Sequence, residues 1–391
     1  MNPKNTHQID TAEVVLPCSG LDATVVFFTE RLGFRIEAIF PADHPSIAVL
    51  SGYGLRIRLA GVSRMTLPDN GSEAALAPGV LRLYCRDPAA LADGASELIA
   101  PNGTRVQLIA ADPPLFVPPL VPSLVLSQLS DRADWSTGRA GMRYRDLIPD
   151  RQGGRFIASH IHIPDGGPVP DYVHFHRVRF QMIYCYKGWV RVVYQDQGPP
   201  FVLQAGDCVL QPPQIRHRVL ESSPGLEVIE IGCPAEHETV ADHDLPLPTP
   251  ALRPQRQFAG QRFVRHVAAA ATWRPWRIAG FEGRDTGIAA ATDGLADVCV
   301  VRPATTATAT RSPQWSHNAE LLFLFALAGT VTLHCQGHGT VRLNAADSLV
   351  VPAGLNCAIA ESSDDLELLE VTLNAVLGGR LTGPAPIRSS R

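Results

Sequence analysis

Three stretches of this chain recur in a single register, and that repeat limits the fold more than any other feature. "YRDLIPDRQGGRFIASHIHIP" (144–164) parallels "GRDTGIAAATDGLADVCVVRP" (283–303). "CYKGWVRVV" (185–193) parallels "ALAGTVTLH" (326–334), and "GDCVLQPPQIRHRVLESS" (206–223) parallels "ADSLVVPAGLNCAIAESS" (346–363). The offset stays between 139 and 141 residues throughout, so one domain has been copied in tandem. Within each copy, short apolar runs are broken by Gly, Pro, Asn and Asp, and long helical periodicities are few. That pattern predicts a mostly β chain built from sandwich or barrel domains.

At 391 residues the chain exceeds one ordinary core, and two proline-rich stretches punctuate it. "ADPPLFVPPLVPSL" (111–124) and "DLPLPTPALRPQ" (244–255) read as linkers. The expected division is an N-terminal domain over 1–115, a linker over 116–134, a first copy over 135–243, a second linker over 244–256 and a second copy over 257–380. The N-terminal part runs strand AEVVL, helix LDATVVFFTERLGF (21–34), then strands RIEAIF, SIAVLSGY and LRIRLA. A shorter version follows as VLRLYC (80–85), DPAALADGASELI, an NGT turn and RVQLI.

Composition removes several function classes. Net charge is −4 and the pI is about 6.3, so no global basic field attracts nucleic acid. No run approaches the roughly 18 apolar residues of a membrane span. The start, MNPKNTHQIDTAEVV, lacks the basic and apolar regions of a secretory leader. Eight cysteines stand singly with no CxxC, which suits reduced thiols and a cytoplasmic protein.

The chemistry concentrates in "PDYVHFHRVRFQMIYCYKG" (170–188). Residues i and i+2 of a strand share a face, so His174 and His176 can offer two imidazoles to one point. His217, in "QPPQIRHRV" of the same copy, supplies a third, and Gln181 stands where a fourth group would be expected. Three neutral imidazoles suit a divalent transition metal. An amide in fourth place leaves such a site more positive than a carboxylate would, hence a stronger Lewis acid toward an anionic substrate oxygen. A lone HxH pair is commonly a solvated or packed pair; the third histidine argues for the metal. Tyr172, two residues before His174, is expected on its face as a substrate-orienting group, and Gln181 as the residue tuning the metal. Arg179, Cys185 and Glu230 are weaker pocket candidates.

The second copy serves as a control. At the equivalent places stand Trp315, His317, Leu322 and Cys357, which make no competent site, so this half is expected to be structural. Two further histidine groups compete for attention. His160 and His162 in "ASHIHIP" are surface residues, proton carriers or replacement ligands. His237 and His243 in "AEHETVADHD" fit a polar loop.

The first copy resembles the cupin motifs G-x5-H-x-H-x3,4-E-x6-G, at His174, His176 and Gly188, and G-x5-P-x-G-x2-H-x3-N, at Gly206, Pro212 and His217. It departs from them at Gln181, in place of the glutamate, and Gln214, in place of the P-x-G glycine. The resemblance covers about residues 135–375 and implies a bicupin: two double-stranded β-helix (jelly-roll) barrels, the first binding metal. The N-terminal part resembles the vicinal-oxygen-chelate (glyoxalase-like) domains over roughly residues 8–112. Glu13 and Gln107 stand in their ligand places, so it is expected to lack a metal and to serve packing or dimerisation. The implied architecture is therefore a small α+β domain before two β barrels.

Resemblance to the cupin dioxygenases implies His174, His176 and His217 as ligands, with Gln181 as a fourth or as an outer hydrogen-bonding group. It further implies Fe(II), or else Ni, Mn, Cu or Zn, and O2 attacking a small enolisable, phenolic or diketone-like substrate. A homodimer is implied by the same analogy. Two alternatives stay open. One is a non-oxidative metal-dependent isomerase, lyase or hydrolase; the other is a non-catalytic, small-molecule-binding or regulatory bicupin.

Overall fold

A computed structural model describes residues 12–41, 45–61, 79–91, 94–129, 135–138, 141–304 and 312–374, with short strands at 376–377, 380–381 and 388–389. It is mostly β and divides into two units, Met1–Pro114 and Leu115–Arg391. No described helix is long and apolar enough to cross a membrane.

In the first unit, strand Val14–Pro17 leads into helix Leu21–Val26, which continues as a wider turn over Phe27–Arg31. Strands Arg35–Phe40, Ile47–Gly52 and Leu55–Ala60 follow, and the first strand pairs parallel to the last. Phe28, Phe34, Leu50 and Leu59 fill the core beneath them. The shorter second half pairs Val80–Cys85 parallel to Arg105–Ala110. Its described helix is Pro88–Leu91; Gly94 lies in the left-handed region and Glu97–Ile99 is a strand. Arg56 and Arg58 bind the Glu13 carboxylate, and Gln107 bridges Arg82 and Glu97. Glu13 and Gln107 thus have polar partners of their own.

The second unit contains two modules, each a large sheet facing a smaller one. In the first module the large sheet runs Val264–His266, Cys208–Leu210, Phe180–Lys187, Leu226–Cys233, Ile157–Ile163, Arg143–Asp146 and Ser136–Thr137. The smaller runs Phe201–Gln204, Trp189–Tyr194, His217–Ser222, His174–His176 and Thr239–Ala241. The second module repeats this order, with Leu321–Ala328 and Glu367–Leu373 central to its large sheet and Trp315–Ser316 paired to Cys357–Ser362 in the smaller one.

The modules exchange strands. Val125–Ser127, which precedes the first module in the chain, pairs with Ser348–Val350 of the second. Val264–His266, which precedes the second, pairs with Cys208–Leu210 of the first. Equivalent side chains anchor both exchanges: Asp347 accepts from the Leu129 amide at 2.7 Å and Asp207 from the Ala268 amide at 2.8 Å. Arg145 donates to the Ala346 carbonyl at 2.5 Å, and Arg284 to the Gly206 carbonyl at 3.4 Å. The stretch 116–134, read from its prolines as a linker, therefore contains a sheet strand. The short apolar run after Pro122 is what pairs.

Strand alternation sorts side chains between two cores. Along Phe180–Lys187 and Leu226–Cys233, Met182, Tyr184, Ile229 and Ile231 meet Phe323, Phe325, Leu369 and Val371 of the second module. Cys185 and Val228 point the other way, into the interior of the first module. The interior of the second module is closed by Leu322, Leu324, Val331 and Cys357.

Asp297 lies in strand Ala296–Pro303 of that second module. Burial, reinforced by the charges of Glu370 and Asp285, pushes its carboxyl up to about 6. A carboxyl whose folded pKa lies above its unfolded value favours the fold when protonated, so its contribution falls as pH rises from about 4 to about 6. Asp297→Asn is expected to raise stability at pH 7.5 by on the order of 2 kcal/mol. Thermal melts should show that gain vanishing below about pH 4; an equal gain at both pH values would refute the assignment.

Candidate metal centre

Three imidazoles converge between the sheets of the first module. His174, His176 and His217 each offer a nitrogen, and these atoms all lie within 4.8 Å of one another. The local folding follows from strand geometry. His174 and His176 sit on the same side of strand His174–His176, and His174 lies directly opposite His217 in the antiparallel register. The turn before His217 contains Gln214 in left-handed backbone at φ +62°, with its amide donating to the His176 carbonyl at 3.0 Å. The second module places Gly354 there, at φ +78°, donating to the His317 carbonyl at 2.8 Å. Gln214 thus adopts the left-handed turn that a glycine takes at the equivalent place in the second module.

Hydrogen bonds fix the rings. His174 Nδ1 donates to the Tyr172 carbonyl at 2.8 Å, and His217 Nδ1 to the Ile215 carbonyl at 3.0 Å. A carbonyl can only accept, so these tautomers carry the proton on Nδ1 and a lone pair on Nε2. The Thr239 hydroxyl lies 3.3 Å from His176 Nδ1. Such outer partners are what orient imidazoles toward a metal. All three rings are buried.

The facing sheet contributes Gln181 and Glu230. Both line the same cavity of about 100 Å³, with the histidines on the other side. The Gln181 Nε2 donates to Glu230 Oε1 at 2.5 Å. The amide nitrogen is thus engaged by a carboxylate from the neighbouring strand, where Ile183 and Glu230 are register partners. Aliphatic side chains such as Ile161, Ile163, Val192 and Val219 form most of the remaining wall. At its edge the Tyr194 hydroxyl accepts from Gln211 Nε2 at 2.9 Å, and burial pushes that phenol well above its ordinary range.

Other candidates take different places. Tyr172 does not line the cavity; its side chain is 38% exposed and its ring lies 5.8 Å from that of His174 and 5.7 Å from that of His243. Residue 172 precedes the strand, so the i, i+2 rule does not carry its side chain inward, and it is the carbonyl that meets His174. Arg179 lies between the modules, donating to Glu320 at 2.7 Å and to the Asn374 carbonyl at 2.7 Å. The Cys185 thiol is enclosed in the first module's interior, and burial pushes it up to about 12. His237 Nδ1 donates to the Pro234 carbonyl at 3.0 Å, and its ring is 5.3 Å from that of His176.

His160 and His162 project from the opposite face of the strand whose Ile161 and Ile163 line the cavity. His160 is buried, with Nε2 2.7 Å from Glu227 and Nδ1 3.3 Å from Arg145. Burial raises the Glu227 carboxyl, but the hydrogen bonds from His160 and Lys187 outweigh it and bring the group to about 2. His160 belongs to a polar cluster beside the second module, His162 packs near Trp135, and neither is in the three-imidazole group.

In the second module Trp315 pairs with Cys357 as His174 pairs with His217. His317 Nε2 donates to the Val351 carbonyl at 2.9 Å, and Cys357 Sγ lies 3.2 Å from Cys335 Sγ. The backbone frame is retained and its ligand set is not.

No family model matches the chain, and no curated protein matches it. Among solved structures it is similar to the protein Ylba from E. coli, at 11% identity and a TM-score of 0.49, over 66% of this chain and 93% of that one. A salicylate 1,2-dioxygenase from Pseudaminobacter salicylatoxidans gives 15% identity and 0.48, over 66% and 86%. A mutant of Bacillus subtilis oxalate decarboxylase gives 14% and 0.47, over 67% and 79%.

Proposed function

We propose that the chain is a mononuclear metal-dependent enzyme of the cupin type, an oxygenase acting on a small enolisable, phenolic or diketone-like molecule. One observation carries the reading: three buried histidines close around one point in the first module, while the sister module keeps the strands and loses the ligands. The donor set fits a divalent transition ion, because two of the rings present Nε2 as the basic nitrogen and no carboxylate belongs to the cluster. Fe(II) is the first choice and Ni, Mn, Cu or Zn the others. Bound there, such an ion would supply Lewis acidity and, if redox-active, dioxygen chemistry.

The protein's own part is positioning. The Tyr172 and Ile215 carbonyls hold two imidazoles in orientation, the aliphatic wall receives a hydrocarbon body, and the Gln181–Glu230 pair provides polar contacts opposite the histidines. Closure of the site between two sheets keeps bulk water from the reacting groups. The cavity is small beside the roughly 300–1,000 Å³ of common ligand pockets, which favours a substrate of few heavy atoms.

The test combines elemental analysis of protein purified without added metal with oxygen uptake over a panel of diketones and phenols. About one transition ion per chain is expected, with substrate-dependent oxygen consumption that a chelator abolishes. Equal turnover without oxygen would overturn the oxygenase assignment in favour of isomerase, lyase or hydrolase chemistry. A wild-type protein that binds no metal would overturn the whole reading.

A further inference from the structure

Glutamate occupies the same strand position in both modules, as Glu230 and Glu370. The two are treated in opposite ways. Arg277 donates to both oxygens of Glu370, at 2.6 and 2.5 Å, and its guanidinium lies 3.7 Å from the Trp276 ring centroid. That carboxylate is paired with a cation that itself lies against an aromatic ring. Among the described residues no arginine or lysine lines the cavity of the first module, and Glu230 meets the neutral amide of Gln181. A carboxylate has about four lone-pair sites, and this amide takes one.

From this contrast we infer that Glu230 selects the ligand of the first module. It accepts the O–H of a small neutral molecule carrying a hydroxyl or enol beside a ketone, and it turns carboxylates away. The inference rests on the metal-dependent reading above and narrows it to a substrate class. A hydroxyl aimed at an anionic acceptor makes a charge-assisted hydrogen bond, shorter and stronger than a neutral one. A ligand carboxylate in the same cavity meets this like charge across a few ångströms of low-dielectric space, and a metal held by the three histidines acts in wild type and Glu230→Gln alike, so comparing the two isolates the share of Glu230. The aliphatic wall then takes the rest of the molecule.

Hydroxyacetone and pyruvate are matched probes: each is a methyl ketone, and they differ in bearing CH2OH or COO−. Their dissociation constants are measured by calorimetry on metal-loaded full-length protein, wild type and Glu230→Gln, with metal content and melting temperature recorded alongside. Glu230→Gln is expected to shift the ratio of the two constants toward pyruvate by at least about tenfold, with metal content unchanged. The exchanged pair Gln181→Glu/Glu230→Gln, which again holds one amide and one carboxylate, is expected to move the ratio back. An unchanged ratio in a Glu230→Gln protein that still holds its metal overturns the inference and leaves the metal centre standing. So does a metal-loaded wild type that binds neither probe at millimolar concentration. A wild type without metal overturns both.

Discussion

His176→Ala is expected to reduce the metal content of the purified protein from about one ion per chain to under about a tenth, with the fold retained. Disturbing an outer partner of a metal-bound histidine already costs roughly 10–100-fold in affinity, and removing one of three ligands costs more. The ring of His176 lies 5.1 Å from that of His174 and 5.3 Å from that of His217, so its loss leaves two donors that cannot enclose an ion. His317→Ala is the matched control. That residue is hydrogen-bonded to the Val351 carbonyl in the module without the ligand set, and metal content should not change. Elemental analysis with circular dichroism decides the matter. Full metal retention in a folded His176→Ala protein would refute the centre.

Glu320→Ala is expected to give the largest loss of stability among single polar changes, about 3 kcal/mol. Glu320 belongs to the second module and joins two arginines of the first, Arg155 at 2.6 Å and Arg179 at 2.7 Å. All three side chains are largely buried, at 12, 15 and 13% exposure respectively. Removing the carboxylate leaves two guanidinium groups enclosed without their shared counter-charge, which is far costlier than losing an exposed pair. Glu320→Gln keeps acceptor geometry without charge and should fall between. Urea unfolding measures it; a loss below about 0.5 kcal/mol, the range of ordinary surface changes, would show that the network is solvated.

The convergence of the three histidines could be read in the sequence because they obey short-range rules. The i, i+2 spacing of His174 and His176 places them on one face whatever the surroundings. The repeat in turn marked His217 by contrast with Cys357. The same rule misplaced Tyr172, which stands before the strand begins. The partner of Gln181 was hidden for a different reason. Glu230 is 49 residues away and arrives through sheet pairing, which no local pattern encodes. A carboxylate does stand beside the Gln181 amide, one strand over. The strand Val125–Ser127 was obscured by prolines that dominate its surroundings, and its pairing partner lies in the other copy.

The crossed strands bear on how such a molecule could evolve. Since each half completes the sheet of its sibling, neither could be deleted without unravelling an edge of the survivor. A gene that duplicates and then interlocks in this way frees one copy to drift chemically while holding it hostage architecturally. Trp315 and Cys357 stand where the first copy has His174 and His217, and the strand at 125–127 is the tether.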